Sequence, residues 1–146
     1  MGAFSMTRRE REARRWWRQA RRDLESAEIN ERHARHEVVC FLAQQAGEKA
    51  LKAFLYAQGE SPVLGHSLLE LTTRAGSYGT ELAGLREAAK TLDAYYVPSR
   101  YPNGLTDDVA PLDFFEASDS VRALTAARSI LEAVAHRLGS AVTAPS

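Results

Sequence analysis

The run Leu92 to Gly104, LDAYYVPSRYPNG, sets an arginine and a tyrosine between two prolines. Pro98 and Pro102 restrict the backbone around Arg100 and Tyr101, which lowers the entropy lost in presenting them. A guanidinium suits phosphate through paired hydrogen bonds, and a tyrosine ring offers a base a surface to stack on. The same residues also admit a structural use, with Arg100 bonding helix-end carbonyls and Tyr101 filling the mouth of a bundle. Spacing leaves both uses open.

A second group lies in Phe41 to Leu55, FLAQQAGEKALKAFL. Gln45, Lys49 and Lys52 follow at steps of four and three and so share a helix face, and Glu48 is placed to pair with Lys52. Spacing alone favours a solvated stripe, with the glutamines bonding between helices. Between the two groups stands His66, just before Ser67. It is a candidate general acid or base, with Arg100 as a candidate stabiliser of a pentacovalent phosphate, because metal-free RNA cleavage needs such a pair near the 2′-hydroxyl. As a plain loop residue His66 would tie down the start of the next helix, and nothing in the spacing requires that it meet Arg100.

From Thr7 to Arg22 the chain carries eight arginines against Glu10 and Glu12, a local balance of 8 − 2 = +6. Arg8, Arg11, Arg15, Arg18 and Arg22 step along one face beside Trp16 and Trp17. A solvated face is the favoured reading, with a surface for RNA or an acidic partner as the alternative. The whole chain has a net charge of zero, which argues against a general nucleic-acid binder. His33, His36 and Cys40 have helical spacing for a metal, but a turn expected at Asn30 to Arg35 breaks it, so no metal site and no cofactor are expected. Walker-type, Gly-x-Gly-x-x-Gly and Gly-x-Ser-x-Gly patterns are absent from the sequence.

The elements that must position these residues read as helices. With 146 residues, 45% of them apolar, the chain suits one domain. No proline precedes Pro62 and no strand-like alternation is visible. Thr7 to Glu10 has the capping-box pattern, and Ala13, Trp17, Ala20, Leu24 and Ala27 form an apolar stripe behind it. A second helix from about His36 to Gln58 has a small-residue face and ends at Gly59. Ser67 to Glu70 opens a short helix that ends near Gly76. A fourth spans about Thr80 to Tyr95, and a last one, Glu116 to Leu138, stops at Gly139. The expected fold is therefore all-α, an antiparallel up-and-down bundle of four to five helices over residues 7–139. Residues 1–6 are set aside as an expression leader or an unstructured start, and 140–146 as a frayed tail. The 17 residues from Val97 to Asp113 form an unusually long connection, of the kind that often carries function. No apolar run is long enough to span a membrane, and no secretory signal is expected. The single Cys40 suits a reducing compartment, so a cytoplasmic location is expected.

Taken together the motifs resemble the HEPN domain family (higher eukaryotes and prokaryotes nucleotide-binding). The family's QQ-x-x-EK-x-LKA-like run is matched by Gln44, Gln45, Glu48, Lys49, Leu51, Lys52 and Ala53. Its Y-x-P-x-RYP run is matched by Tyr96, Pro98, Arg100, Tyr101 and Pro102, with Gly65 to Leu68 between the two. The resemblance covers about Ala13 to Leu138. It implies a bundle that commonly dimerises and a partner that is a minimal nucleotidyltransferase, often within a toxin–antitoxin pair; some members are metal-independent ribonucleases. Ligand contact with a nucleotide or RNA is then expected from Lys49, Lys52, His66, Tyr96, Arg100 and Tyr101, with Pro98 shaping the loop. The ribonuclease branch places a histidine after an arginine with four to six residues between. Here Arg32 and His36 have three between them, and Arg128 and His136 have seven. That departure leans the reading towards a binding module, with a ribonuclease toxin or a purely protein-recognising bundle as alternatives.

Overall fold

The computed structural model describes residues 5–145. Its helices are α1 (Arg8–Arg32), α2 (His36–Ala57), α3 (Leu68–Gly76), α4 (Thr80–Ala83), α5 (Arg86–Asp93), α6 (Pro111–Phe114), α7 (Ala117–Arg137) and α8 (Ser140–Thr143), with a 3-10 turn at Pro102–Gly104. Three long helices and two of intermediate length make the all-α bundle that the patterning predicts, and the described residues contain no strand. Helix α2 is the central element, packed between α1 and α7, with α3 and α5 closing the remaining side.

Each long helix forms for reasons present in its sequence. At the start of α1, Glu10 N–H donates to Thr7 Oγ1 at 3.1 Å and Thr7 N–H donates to Glu10 Oε1 at 3.0 Å, the reciprocal box of Thr-x-x-Glu. Ala13, Trp17, Ala20 and Ala27 are buried from this helix, as expected, together with Asp23. Helix α2 buries Val39, Ala43, Ala46, Ala50 and Ala53, small side chains that let α1 and α7 approach closely, and Leu51, Phe54 and Leu55 fill the space between. It ends at Gly59, whose φ of +96° lets Glu60 N–H reach back to the Leu55 carbonyl at 3.1 Å. The turn between α1 and α2 has no glycine. Ala34 takes the left-handed conformation there instead, at φ 55°.

Two expectations about boundaries are corrected. The helix expected from Thr80 to Tyr95 is split at Gly84 and Leu85. Glycine is a poor interior helix residue, and Leu85 N–H bonds three residues back, to the Leu82 carbonyl at 3.2 Å, which tightens the chain between α4 and α5. The tail expected to fray is docked. Residues 140–143 form a helical turn, Val142 is buried, and Arg14 Nη1 donates to the carbonyls of Ala141, Val142 and Ala144 at 3.2, 3.2 and 2.7 Å. At the other end, residues 1–4 of the expected unstructured start lie outside the described residues, while the Met6 carbonyl accepts a bond from Arg11 Nη1 at 2.6 Å. Among the described residues no helix is long and apolar enough to cross a membrane.

Candidate functional site

The long connection after α5 keeps a helical course before it turns away. Ser99 N–H bonds to the Tyr95 carbonyl at 3.3 Å, so Tyr96 and Arg100, four residues apart, lie on one face. Arg100 Nε donates to the Tyr96 carbonyl at 2.9 Å. Its guanidinium carbon lies 4.4 Å from the centroid of the Tyr96 ring, 4.7 Å from that of Phe41 on α2, and 4.9 Å from that of Tyr101. Three aromatic rings therefore hold this cation, and among the described residues no carboxylate lies within ion-pair distance of it. Of the two structural uses read from the sequence, the helix-end bond of Arg100 is present. Tyr101 does not plug the bundle, since half of it is exposed.

His66 reaches the same place from the opposite direction. Its ring stacks on Tyr96, with centroids 5.3 Å apart and planes 20° from parallel, and its Nδ1 lies 3.3 Å from Glu48 Oε1. The His66 carbonyl accepts from Nε2 of the fully buried Gln44 at 3.2 Å, and Gln45 Nε2 donates to Gln44 Oε1 at 2.8 Å. Asp93, at the end of α5, completes the frame. It accepts from Leu68 N–H at 2.7 Å, from Leu69 N–H at 3.0 Å and from Ser67 Oγ at 3.2 Å. Ser67 caps α3 as its spacing predicts, by accepting from Glu70 N–H at 3.2 Å, and Asp93 takes the next two free N–H groups of that helix start, those of Leu68 and Leu69. The aspartate thereby ties the segment that leads into Tyr96 to the segment that follows His66.

The structure divides the expected ligand set. His66, Tyr96, Arg100 and Tyr101 come together, with Phe41 and Glu48 as members that the motif reading did not weigh as ligand contacts. Lys52 is elsewhere. It is 5% exposed, its Nζ sits 3.2 Å from Glu48 Oε2 and 5.3 Å from the centroid of the Trp16 ring, and that ring stacks on Tyr56. Lys49 points towards α1, where Asp23 Oδ2 takes it at 2.5 Å and Asp23 Oδ1 accepts from Gln19 at 2.8 Å. Glu48 is the branch point, buried with one oxygen towards Lys52 and the other towards His66. His36 turns its Nδ1 to the buried Ser120 Oγ at 2.7 Å, and Cys40 is buried; among the described residues no group of three or more His, Cys, Asp or Glu converges on a common point.

The cluster can therefore offer one fixed, unneutralised cation with flat aromatic surface around it, and one exposed imidazole oriented by a buried carboxylate. Comparison with known proteins fits this geometry. The HEPN domain family model matches residues 13–138. Among solved structures, TT1696 from Thermus thermophilus is 34% identical with a TM-score of 0.75, covering 86% of this chain and 98% of that one. ST0689, described as an archaeal HEPN homologue, is 34% identical with a TM-score of 0.71 over 92% of this chain and all of its own. Human sacsin is 32% identical over 123 residues, which are 82% of this chain and 3% of sacsin. The chain thus spans only a small fraction of that relative. Fold and matched motifs define a helical bundle of one class, and the chain belongs to the HEPN domain family.

Proposed function

We propose that this chain is a nucleotide-binding HEPN module whose phosphate anchor is Arg100. One observation carries the reading: a guanidinium held by its own Nε bond and by three rings keeps its remaining N–H groups for a ligand and, among the described residues, has no carboxylate to neutralise it. Such a cation gives up little freedom on binding and matches phosphate geometry. Tyr101 is exposed beside it as a stacking surface, and His66 is placed to bond a further phosphate oxygen or a sugar hydroxyl. Calorimetric titration with a nucleoside, its monophosphate and its triphosphate tests this. The phosphorylated forms bind and the bare nucleoside binds at least tenfold more weakly; equal binding of all three removes the phosphate anchor.

The module works as a homodimer with a separately encoded minimal nucleotidyltransferase, in a toxin–antitoxin-like pair within the cytoplasm. Leu112 and Phe114, large apolar side chains left more than half exposed beside the Arg100 loop, support an interface there. A sedimentation mass of one chain at micromolar concentration removes the dimer, and failure to co-purify with a co-expressed nucleotidyltransferase removes the pairing.

A metal-independent ribonuclease is the second reading, and the Glu48–His66 contact at 3.3 Å favours it, because a buried carboxylate beside an exposed imidazole is how a general base is oriented. Metal-free cleavage of RNA that is lost in Arg100→Ala establishes that reading; intact RNA with both proteins retires it.

A further inference from the structure

A second candidate site lies away from Arg100. An open groove of about 830 Å³ runs along α1, with Arg15, Arg18, Arg21 and Arg22 on its rim, Lys49 on the α2 side and residues 143–145 at its far wall. That wall exists because Arg14 clamps the carbonyls of the docked tail. Two of the four rim arginines are unspent. Arg15 pairs with Glu12 at 2.9 Å and Arg22 lies 4.0 Å from Glu25, whereas Arg18 and Arg21 are exposed and, among the described residues, have neither a hydrogen bond nor an ion pair. Asp23, the other carboxylate of this stretch, is buried and turned onto Lys49 and Gln19.

Arg18 and Arg21 make no intrahelical ion pair among the described residues, and both lie more than two turns from either end of α1, where its macrodipole gives them no role. Two tryptophans also line the groove, but Trp17 is buried and Trp16 is part-buried, stacked on Tyr56 and bonded to Glu12, so neither stands free as an anchor for a protein partner. The large exposed apolar side chains, such as Leu64, Leu112 and Phe114, all lie outside its lining. What remains is a row of guanidinium groups advancing about 5 Å along the axis at each step of three or four residues. A regularly spaced chain of anions fits such a row.

We propose that the α1 groove binds the sugar–phosphate chain of a single-stranded nucleic acid, with Arg18 and Arg21 as its principal phosphate contacts. The site is separate from the Arg100 cluster and stands whether or not that cluster takes a nucleotide. The direct test is fluorescence anisotropy of a labelled oligouridine with the full chain, with Arg18→Ala/Arg21→Ala and with Arg100→Ala, between about 50 and 200 mM salt. Arg100→Ala, which leaves the groove intact, keeps the larger part of the wild-type affinity. The double variant, in which helical content is checked by circular dichroism, binds roughly tenfold more weakly, and its log–log salt slope is shallower by about 1.4, at about 0.7 per single-strand phosphate contact. Arg18→Lys/Arg21→Lys keeps the slope and recovers part of the affinity. The proposal is overturned by absence of binding at low salt, by an unchanged double variant, by loss confined to Arg100→Ala, or by polyglutamate competing as well as the oligonucleotide. The last result would assign the groove to an acidic protein.

Discussion

The carboxylate of Asp93 accepts the Leu68 backbone N–H at 2.7 Å, and this contact joins the segment that follows His66 to the segment that leads into Tyr96. Asp93 stands three residues before Tyr96, and Leu68 two residues after His66, so the bond fixes the stacked pair from both sides. Asp93→Ala strips the acceptor from two backbone N–H groups and the Ser67 hydroxyl. The expected cost is about 1–3 kcal/mol in urea unfolding, with a loss of nucleotide affinity that Asp93→Asn partly restores. An Asp93→Ala protein of wild-type stability would mean that the bond does not hold the frame.

Glu48 and Lys52 form an ion pair in which both side chains are almost wholly buried. Removing one partner leaves the other charged in a poor solvent for charge. Glu48→Gln is expected to lower unfolding free energy by about 3–5 kcal/mol. Adding Lys52→Met returns most of that, because a neutral pair of similar volume leaves no buried charge to solvate. Denaturant midpoints of the three proteins decide it; a double variant no better than Glu48→Gln contradicts the pairing.

Ala34 occupies a left-handed conformation in which a Cβ costs about 1–2 kcal/mol. Ala34→Gly removes that strain and adds some unfolded-chain entropy, so a net gain of roughly 0.5–1 kcal/mol is expected. Thermal unfolding measures it, and a lower melting temperature would place the α1–α2 turn in another conformation.

Burial pushes the Cys40 thiol up to about 12. The folded chain therefore keeps a proton in the alkaline range where the unfolded thiol releases it, so unfolding is favoured as pH rises from the ordinary thiol range towards that value. Iodoacetamide at pH 8 should label Cys40 only after denaturant is added. Cys40→Ala should also lose stability less steeply above about pH 9 than the wild type does. Rapid labelling of the folded protein would show the thiol to be accessible.

Local signals in the sequence carried most of the fold. The Thr7 cap, the Ser67 cap, the Gly59 stop and the small-residue face of α2 depend on neighbours within a turn or two, and each is where its spacing puts it. Residues set by distant partners were not legible in this way. Asp93 looks like an ordinary helix-end acid until α3 comes to rest on it. The tail gives no sign that Arg14, far away in the chain, will hold its carbonyls. The same limit divided the candidate site. Tyr96 and Arg100 share a face through local geometry, so the motif brought them together. Lys49 and Lys52 share a face with Gln45 on paper, yet buried Asp23 takes Lys49, and Glu48 and the Trp16 ring hold Lys52.

Arg100 as the phosphate anchor is the central claim, and calorimetric titration of Arg100→Ala beside the wild type, with the same nucleoside triphosphate, tests it most directly. The side chain is partly exposed and, among the described residues, pairs with no carboxylate, so the variant should remain folded. The account predicts a heat of binding for the wild type and an affinity at least tenfold weaker, or none, for Arg100→Ala. Equal affinities in the two proteins would contradict it and place the nucleotide elsewhere on the bundle.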